Sequence, residues 1–268
     1  MPDDPVAREI AVVIPVHDEE ELLARCLESV ALAARQLHRT HAATSRVIVV
    51  LDACTDRSEE IAESFGVELL RTSGRNVGAA RAAGIEQVAT STTTPDDRIW
   101  IACTDADCVV PPEWLSTLCG RAEGGAELIL GRAWLDPADV ADRLYRRWVR
   151  HYRGGDVLRH IHGANLGVAL DAYRRAGGFA ELREHEDVDL VARLLAAGVS
   201  VTAGSDVITS GRPDGRTPGG FAGYLRALGD GGGSERGGVD AADRLGPEAV
   251  IHAPEHRLRP GGHPDARV

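Results

Sequence analysis

Apolar residues in this chain fall into short unbroken runs, and between them lie stretches with apolar positions every three to four residues. Residues 10–16 are apolar throughout, the pattern of a strand buried on both faces. His17-Asp18-Glu19-Glu20-Glu21 follows, an acidic run suited to the first turn of a helix. Leu23, Leu27, Val30 and Ala34 then mark that helix by their spacing. Residues 47–51 read as a second buried strand, 58–65 as a short helix stopped by Gly66, and 67–70 as a third strand. Residues 76–88 form an Ala-rich helix, 91–97 a polar loop, and 99–103 a fourth strand. Strands alternating with helices predict right-handed parallel units in a sheet covered on both sides, an α/β fold.

The second half is less regular. Residues 127–135 predict a strand. Residues 140–152 predict a helix with Leu144, Trp148 and Tyr152 on one face and several arginines on the other, a solvated face. Residues 162–170 read as a strand, followed by a short helix and Gly177-Gly178. Residues 186–197 form an amphipathic helix through Val188, Val191, Leu194 and Leu195. Short strands at 199–203 and 207–209 precede a Gly/Pro-rich loop at 210–220, and a last helix covers 221–228. The chain reads as one domain over 1–228, with halves at 1–110 and 111–228, and a Gly/Pro-rich tail over 229–268.

Aromatic residues make up only 4% of the chain, so the core must be built from Val, Ile, Leu and Ala. All 30 basic residues are arginine, so any phosphate clamp must use Arg, backbone N–H groups or a metal. A net charge of −11 argues against a nucleic-acid partner, which calls for a basic face. No apolar run reaches the length of a membrane span, and the acidic start lacks a signal-peptide pattern. The expected location is cytoplasmic, with a peripheral visit to the inner membrane face left open, as is a homodimer. Five cysteines without Cys-x-x-Cys spacing fit reduced thiols.

The chemistry gathers where apolar runs end. The fourth strand runs into Asp105-Ala106-Asp107, and in an extended continuation residues i and i+2 point the same way. Two carboxylates on one point call for a cation, and oxygen-only ligands suit Mg²⁺ or Mn²⁺. His17-Asp18 and Asp52 likewise follow strands one and two, where ligands bind in open α/β sheets. Asp52 reads equally as a helix N-cap. His162 is structural or touches metal or diphosphate. Arg81 faces phosphate or is a plain surface residue. No Gly-x-Gly-x-x-Gly follows the first strand.

Val13-Ile14-Pro15-Val16-His17-Asp18-Glu19-Glu20, Asp52-Ala53-Cys54-Thr55-Asp56, Asp105-Ala106-Asp107 and Glu186-Asp187, in that order, resemble the family 2 glycosyltransferases of GT-A fold. The resemblance runs from about residue 10 to about residue 210. It departs from the family at Leu51-Asp52, where an Asp-Asp pair is common, and lacks the Gln-x-x-Arg-Trp run of polymerising members. It implies a Rossmann-like, mainly parallel sheet with helices on both faces, and transfer of a single sugar from a nucleotide-diphosphate sugar to an acceptor hydroxyl with inversion. It implies that Asp52 contacts the nucleobase and that Pro15 and Val16 wall its pocket. Asp105 would contact the ribose or lie near the metal, and Asp107 would ligate Mn²⁺ or Mg²⁺. Asp187 would be the general base, with Glu186 beside it in the acceptor site. A divalent ion stabilises the departing diphosphate as a Lewis acid, and a carboxylate suffices as base when proton transfer follows bond cleavage. Arg212 and Arg216, amid glycines, are candidates for a lid that bonds the diphosphate. The competing readings are a nucleotidyltransferase, against which the acidic Gly-free loop after strand one speaks, and a nucleotide-sugar binding protein without turnover.

Overall fold

The structure is a computed structural model that describes residues 8–152, 161–212 and 221–229. Its elements follow the predicted alternation. Strand β1 (Arg8–Val16) leads to helix α1 (Leu23–Thr40), β2 (Ala43–Asp52) to α2 (Ser58–Ser64), and β3 (Glu68–Thr72) to α3 (Val77–Ser91). Then come β4 (Ile99–Cys103), the two-residue β5 (Cys108–Val109) and α4 (Trp114–Glu123). The second half holds β6 (Leu128–Leu130), β7 (Ala133–Leu135), α5 (Asp142–Tyr152), β8 (Leu166–Ala169), α6 (Leu170–Arg175), α7 (Glu186–Ala196), β9 (Val201–Ala203), β10 (Val207–Thr209) and α8 (Phe221–Gly229).

Seven strands form one sheet in the order β3-β2-β1-β4-β8-β6-β9. The β3-β2-β1-β4 part is parallel, as alternation with helices requires. β8 runs antiparallel to both β4 and β6, and β6 pairs parallel with β9, so the sheet is mixed at one side. The chain steps outward from β1 to β2 and β3, then crosses back to β4 on the other side of β1. With right-handed crossovers, α3 lies on the face opposite α1 and α2, and the direction reverses between β1 and β4. Such a reversal opens a crevice at the carboxyl ends of the two strands.

Residues 10–14 of β1 are fully buried; β2 and β6 bury runs of Val, Ile and Leu beside them, and β4 buries all of Ile99 to Cys103. Gly84 lets α3 sit tightly on this sheet. A Cβ there would lie 2.7 Å from Val13 Cγ1 and 2.9 Å from Val50 Cγ2.

Several expectations change. The predicted strand at 127–135 is two strands in different sheets, broken at Gly131-Arg132. β6 stays in the main sheet while β7 joins a small sheet of order β5-β10-β7. Asn165 takes the break: its Nδ2 donates to Arg132 O at 3.0 Å and to Ser205 O at 2.9 Å. The predicted strand at 162–170 is a 3₁₀ turn, Gly163–Asn165, followed by β8 and then α6 from Leu170. The acids 18–21 precede α1 rather than forming its first turn, which holds none. The predicted tail, 229–268, lies outside the described residues from 230 onward. A second apolar cluster joins Leu135 of β7 to Trp148 and Tyr152 of α5 and to Leu225 and Leu228 of α8.

Candidate active site

Four non-glycine residues have left-handed backbone: Asp18 (φ 51°), Ala53 (φ 54°), Arg75 (φ 48°) and His185 (φ 65°). Three of them follow β1, β2 and β3, and the fourth precedes α7. Such conformations cost energy and persist where surrounding bonds over-determine them. Here the bonds are visible. The Asp18 carboxylate accepts from Thr55 N at 2.5 Å, Thr55 Oγ1 at 3.2 Å and Asp56 N at 3.3 Å. Asp56 in turn accepts from Glu20 N at 2.8 Å, and Glu19 N donates to Ser58 Oγ at 2.8 Å. The loops after β1 and β2 are thus stitched together. The Thr55 amide in particular holds the Asp18 carboxyl below its ordinary range.

Beneath these loops lie Pro15 and Val16, both buried, and Asp52, which is 4% exposed. Asp52 Oδ1 accepts from Thr72 Oγ1 at 3.0 Å and Oδ2 from Asn76 N at 2.8 Å. Asp52 is therefore not the cap of α2, whose N-cap position is Arg57. It instead ties the end of β2 to the start of α3, and the N-cap of α3 is Asn76, accepting from Ala79 N at 2.9 Å.

That cap sets the phase of α3, with Gly78 and Arg81 three residues apart on one face. The surface alternative for Arg81 is overturned, because it is 3% exposed. Its guanidinium donates to Glu186 Oε1 at 2.5 Å and to Asp105 Oδ1 at 2.5 Å, and sits 5.9 Å from the centre of the Phe179 ring. Two glycines make the room. A Cβ on Gly78 would lie 2.7 Å from Glu186 Cγ, and one on Gly163 would lie 2.5 Å from Arg81 Cζ. Burial lifts the Glu186 carboxyl above its usual range, against the pull of the Arg81 charge.

Asp187, next along α7, contacts backbone: its Oδ2 accepts from Gly163 N and its Oδ1 from Val188 N, both at 2.8 Å. The 3₁₀ turn that replaced the predicted strand therefore faces the candidate base. His162 precedes that turn. Its Nε2 lies 3.1 Å from the Tyr152 hydroxyl, which accepts from Ala133 N at 3.1 Å. Burial holds the His162 imidazole below its usual range, with the charges of Asp187 and Asp105 opposing.

β4 ends at Cys103, and Asp105-Ala106-Asp107 is a turn closed by Cys108 N donating to Asp105 O at 3.0 Å. The two acids are therefore not aligned as strand neighbours. Asp105 turns to Arg81, while Asp107 turns to β10, accepting from Thr209 Oγ1 at 3.4 Å. Burial, helped by the Asp105 charge, pushes the Asp107 carboxyl up to about 6. Arg212 answers it from beyond β10, with Nη2 3.6 Å from Asp107 Oδ2. The same guanidinium grips Glu19 with both terminal nitrogens, Nη1 at 2.5 Å. A cation already stands against Asp107 and Glu19, and their oxygen donors fit a hard divalent ion. Arg216 lies outside the described residues. The sequence reading missed Glu19, Thr209, Phe179 and Tyr152 as parts of this site. Glu19 stood in an acidic run already noted, whereas the other three have no local signal.

The sequence pattern of "Glycosyl transferase family 2" matches residues 11–174. The undecaprenyl-phosphate 4-deoxy-4-formamido-L-arabinose transferase of Photorhabdus laumondii is 28% identical over 188 residues, 67% of this chain and 53% of that protein. The low-salt glycan biosynthesis hexosyltransferase Agl6 of Haloferax volcanii is 30% identical over 130 residues, 48% of this chain and 28% of that protein. The chain thus spans about half, or less, of the length of these relatives. Among solved structures, the mannosyltransferase PcManGT of Pyrobaculum calidifontis, in complex with GDP-Man and Mn²⁺, aligns with a TM-score of 0.57 at 17% identity. The alignment covers 84% of this chain and 62% of that one. S. aureus TarS 1-349 with UDP aligns at 0.56 and 13% identity, covering 82% and 64%. These likenesses show the GT-A fold. With the family pattern spanning more than half of its length, the chain belongs to glycosyl transferase family 2.

Proposed function

We propose that the protein transfers one sugar from a nucleotide-diphosphate sugar to an acceptor hydroxyl, with inversion at the anomeric carbon and with the help of Mn²⁺ or Mg²⁺. The observation that carries this is a division among four acids. Asp105 and Glu186 are neutralised by buried Arg81. Asp187 bonds to backbone N–H groups, and Asp107 faces a guanidinium brought from a distant loop. The first pair is structural ballast; the second pair is chemically available.

Asp107 would hold the divalent ion, with Asp105 nearby but committed to Arg81. When bound, that ion offsets the negative charge growing on the departing nucleoside diphosphate. The chain's own residues do the rest. Pro15 and Val16 form the pocket floor, and Asp52, while it holds Thr72 and the start of α3, would also accept from the nucleobase. Asp187 takes the proton of the attacking hydroxyl, fixed in place by Gly163 N and Val188 N. Glu186 and Arg81 lock the first turn of α7 against α3, so that the base cannot swing. His162, held by Tyr152, lines the site as an imidazole. The placement of the site at the β1/β4 crevice agrees with where open α/β sheets bind ligands.

The test incubates the protein with a panel of nucleotide sugars, Mn²⁺ and hydroxyl or undecaprenyl-phosphate acceptors. The last are chosen from the name of the Photorhabdus laumondii relative. Release of free nucleoside diphosphate with an inverted product anomer by NMR is the expected result. Release of pyrophosphate would instead mark a nucleotidyltransferase, and no turnover a binding protein. Asp107→Asn should remove the Mn²⁺-dependent part of nucleoside diphosphate binding in calorimetry while the fold persists; equal affinity with metal and with chelator in the parent chain would defeat the metal assignment.

A further inference from the structure

α1 and α4 both run back from the active-site edge of the sheet and end together at the opposite edge, near the start of β1. There His41, the residue that ends α1, meets Cys119 and Glu123, which are one turn apart on α4. One side-chain donor atom of each lies within 4.8 Å of the others. The Cys119 thiol donates to Glu123 Oε1 at 3.6 Å, and His41 Nε2 makes an ion-pair contact with Glu123 Oε2 at 4.0 Å. A tetrahedral zinc ion with ordinary bond lengths spaces its donors by about 3.3–3.6 Å. The trio is therefore near that spacing before any ion arrives. The His–Glu separation is too long for a hydrogen bond.

The histidine ring is also held in place. Thr40 Oγ1 lies 2.9 Å from both His41 Nδ1 and Gln36 O. Nε2 is the ring nitrogen on the Glu123 side. A second hydrogen bond that orients the ligating imidazole is the usual support of a zinc-bound histidine. Cys119 is buried and His41 half-buried, while Glu123 is exposed and leaves the site open to solvent for entry and for a fourth, water ligand.

We propose that His41, Cys119 and Glu123 form a second metal site, for a zinc-like transition-metal ion, that pins the end of α1 to α4 away from the donor site. Its nitrogen, sulfur and oxygen donors select against the hard Mg²⁺ and Mn²⁺ suited to Asp107. Cysteine ligates as thiolate, so uptake of the ion releases the Cys119 proton.

The test uses the full chain after chelation, titrated with Co²⁺ and, separately, with Zn²⁺. Co²⁺ should raise a thiolate-to-cobalt charge-transfer band, and Zn²⁺ should abolish it by displacement and raise the melting temperature. The band should vanish in Cys119→Ser and survive in Asp107→Asn. It should also survive in Cys54→Ser, which removes the thiol that lies near Asp18 and Asp56. Thr40→Val, which keeps every ligand, should weaken binding about 10–100-fold through the freed imidazole. Should Cys119→Ser fold poorly, His41→Gln at the helix end reads the same loss. No band, or a band that persists in Cys119→Ser, overturns the proposal. A band lost in Cys54→Ser instead overturns it as well and moves the site to the loops after β1 and β2.

Discussion

At the scale of single residues, the site turns on which charges are answered and by what. Arg81 answers two acids at once from a position closed to water. Removing one partner of a buried ion pair leaves the other uncompensated, at a cost of about 3–5 kcal/mol. Arg81→Met should therefore lower unfolding free energy in urea by that order. The double variant Arg81→Met, Glu186→Gln should recover part of the loss, since the two residues share one bond network. Additive losses would mean that the pair is not coupled. Asp187 is different, because its partners are backbone amides that an amide side chain can still reach through one oxygen. Asp187→Asn should bind donor as the parent does and lower turnover by about 10²–10⁴-fold, the range of general-base catalysis. A variant with parent turnover would remove Asp187 from the chemistry.

At the scale of elements, the loops after the strands hold most of the candidate site residues. The Asp18 carboxylate is the knot between two of those loops. Its pKa is depressed by the Thr55 amide, so the sign is fixed. The stabilisation is complete above the ordinary aspartate value of about 3.9 and is lost as pH falls through the lower folded value. Because the group is only part-buried and screened by solvent, the whole effect should be about 1 kcal/mol or less. Hydrogen exchange at the Thr55 amide should rise as pH falls below about 4, after correction for the intrinsic rate, and Asp18→Asn should flatten that dependence. An unchanged profile in the variant would show that the knot lies elsewhere, in Asp56 and Ser58.

At the scale of the molecule, segments nearly two hundred residues apart meet over the candidate metal. Arg212, beyond β10, grips Glu19 beside β1 and approaches Asp107 after β4. A guanidinium and a divalent ion compete for Asp107, so donor binding should move Arg212 from the acids to the diphosphate. This predicts opposite signs in one variant. Arg212→Ala should bind Mn²⁺ alone more tightly. It should bind nucleoside diphosphate with Mn²⁺ about tenfold or more weakly, since a charge-assisted bond contributes about 1.5–3 kcal/mol. Tighter binding of both would make Arg212 a plug and not a ligand of the donor. The predicted loop at 210–220 enters only through its first three residues, because 213–220 lie outside those described.

The pattern of apolar runs was enough to determine the parallel half of the sheet, since an apolar run between two helical stretches has few places to go but the middle of an α/β layer. The family motifs marked the same carboxyl ends, because strand ends are where the chain leaves its hydrogen-bonded ladder and can aim side chains. Sequence could not decide the second half. Residues 127–135 read as one strand, yet Gly131-Arg132 breaks it because Asn165, 34 positions on in the three-dimensional pairing of Gly131 N with Asn165 O, captures the backbone there. Nor could it decide the fate of Arg81, whose burial depends on Gly78 and Gly163 clearing space from two different elements. Asp105 and Asp107 show the same limit. Their spacing promised one shared target, but a turn after Cys103 sends one to a buried arginine and the other to Arg212. Local periodicity decides which segments are helix or strand, because it reports one face of one element. Which charge meets which is decided only when distant segments pack, because burial sets the cost of leaving a charge unanswered.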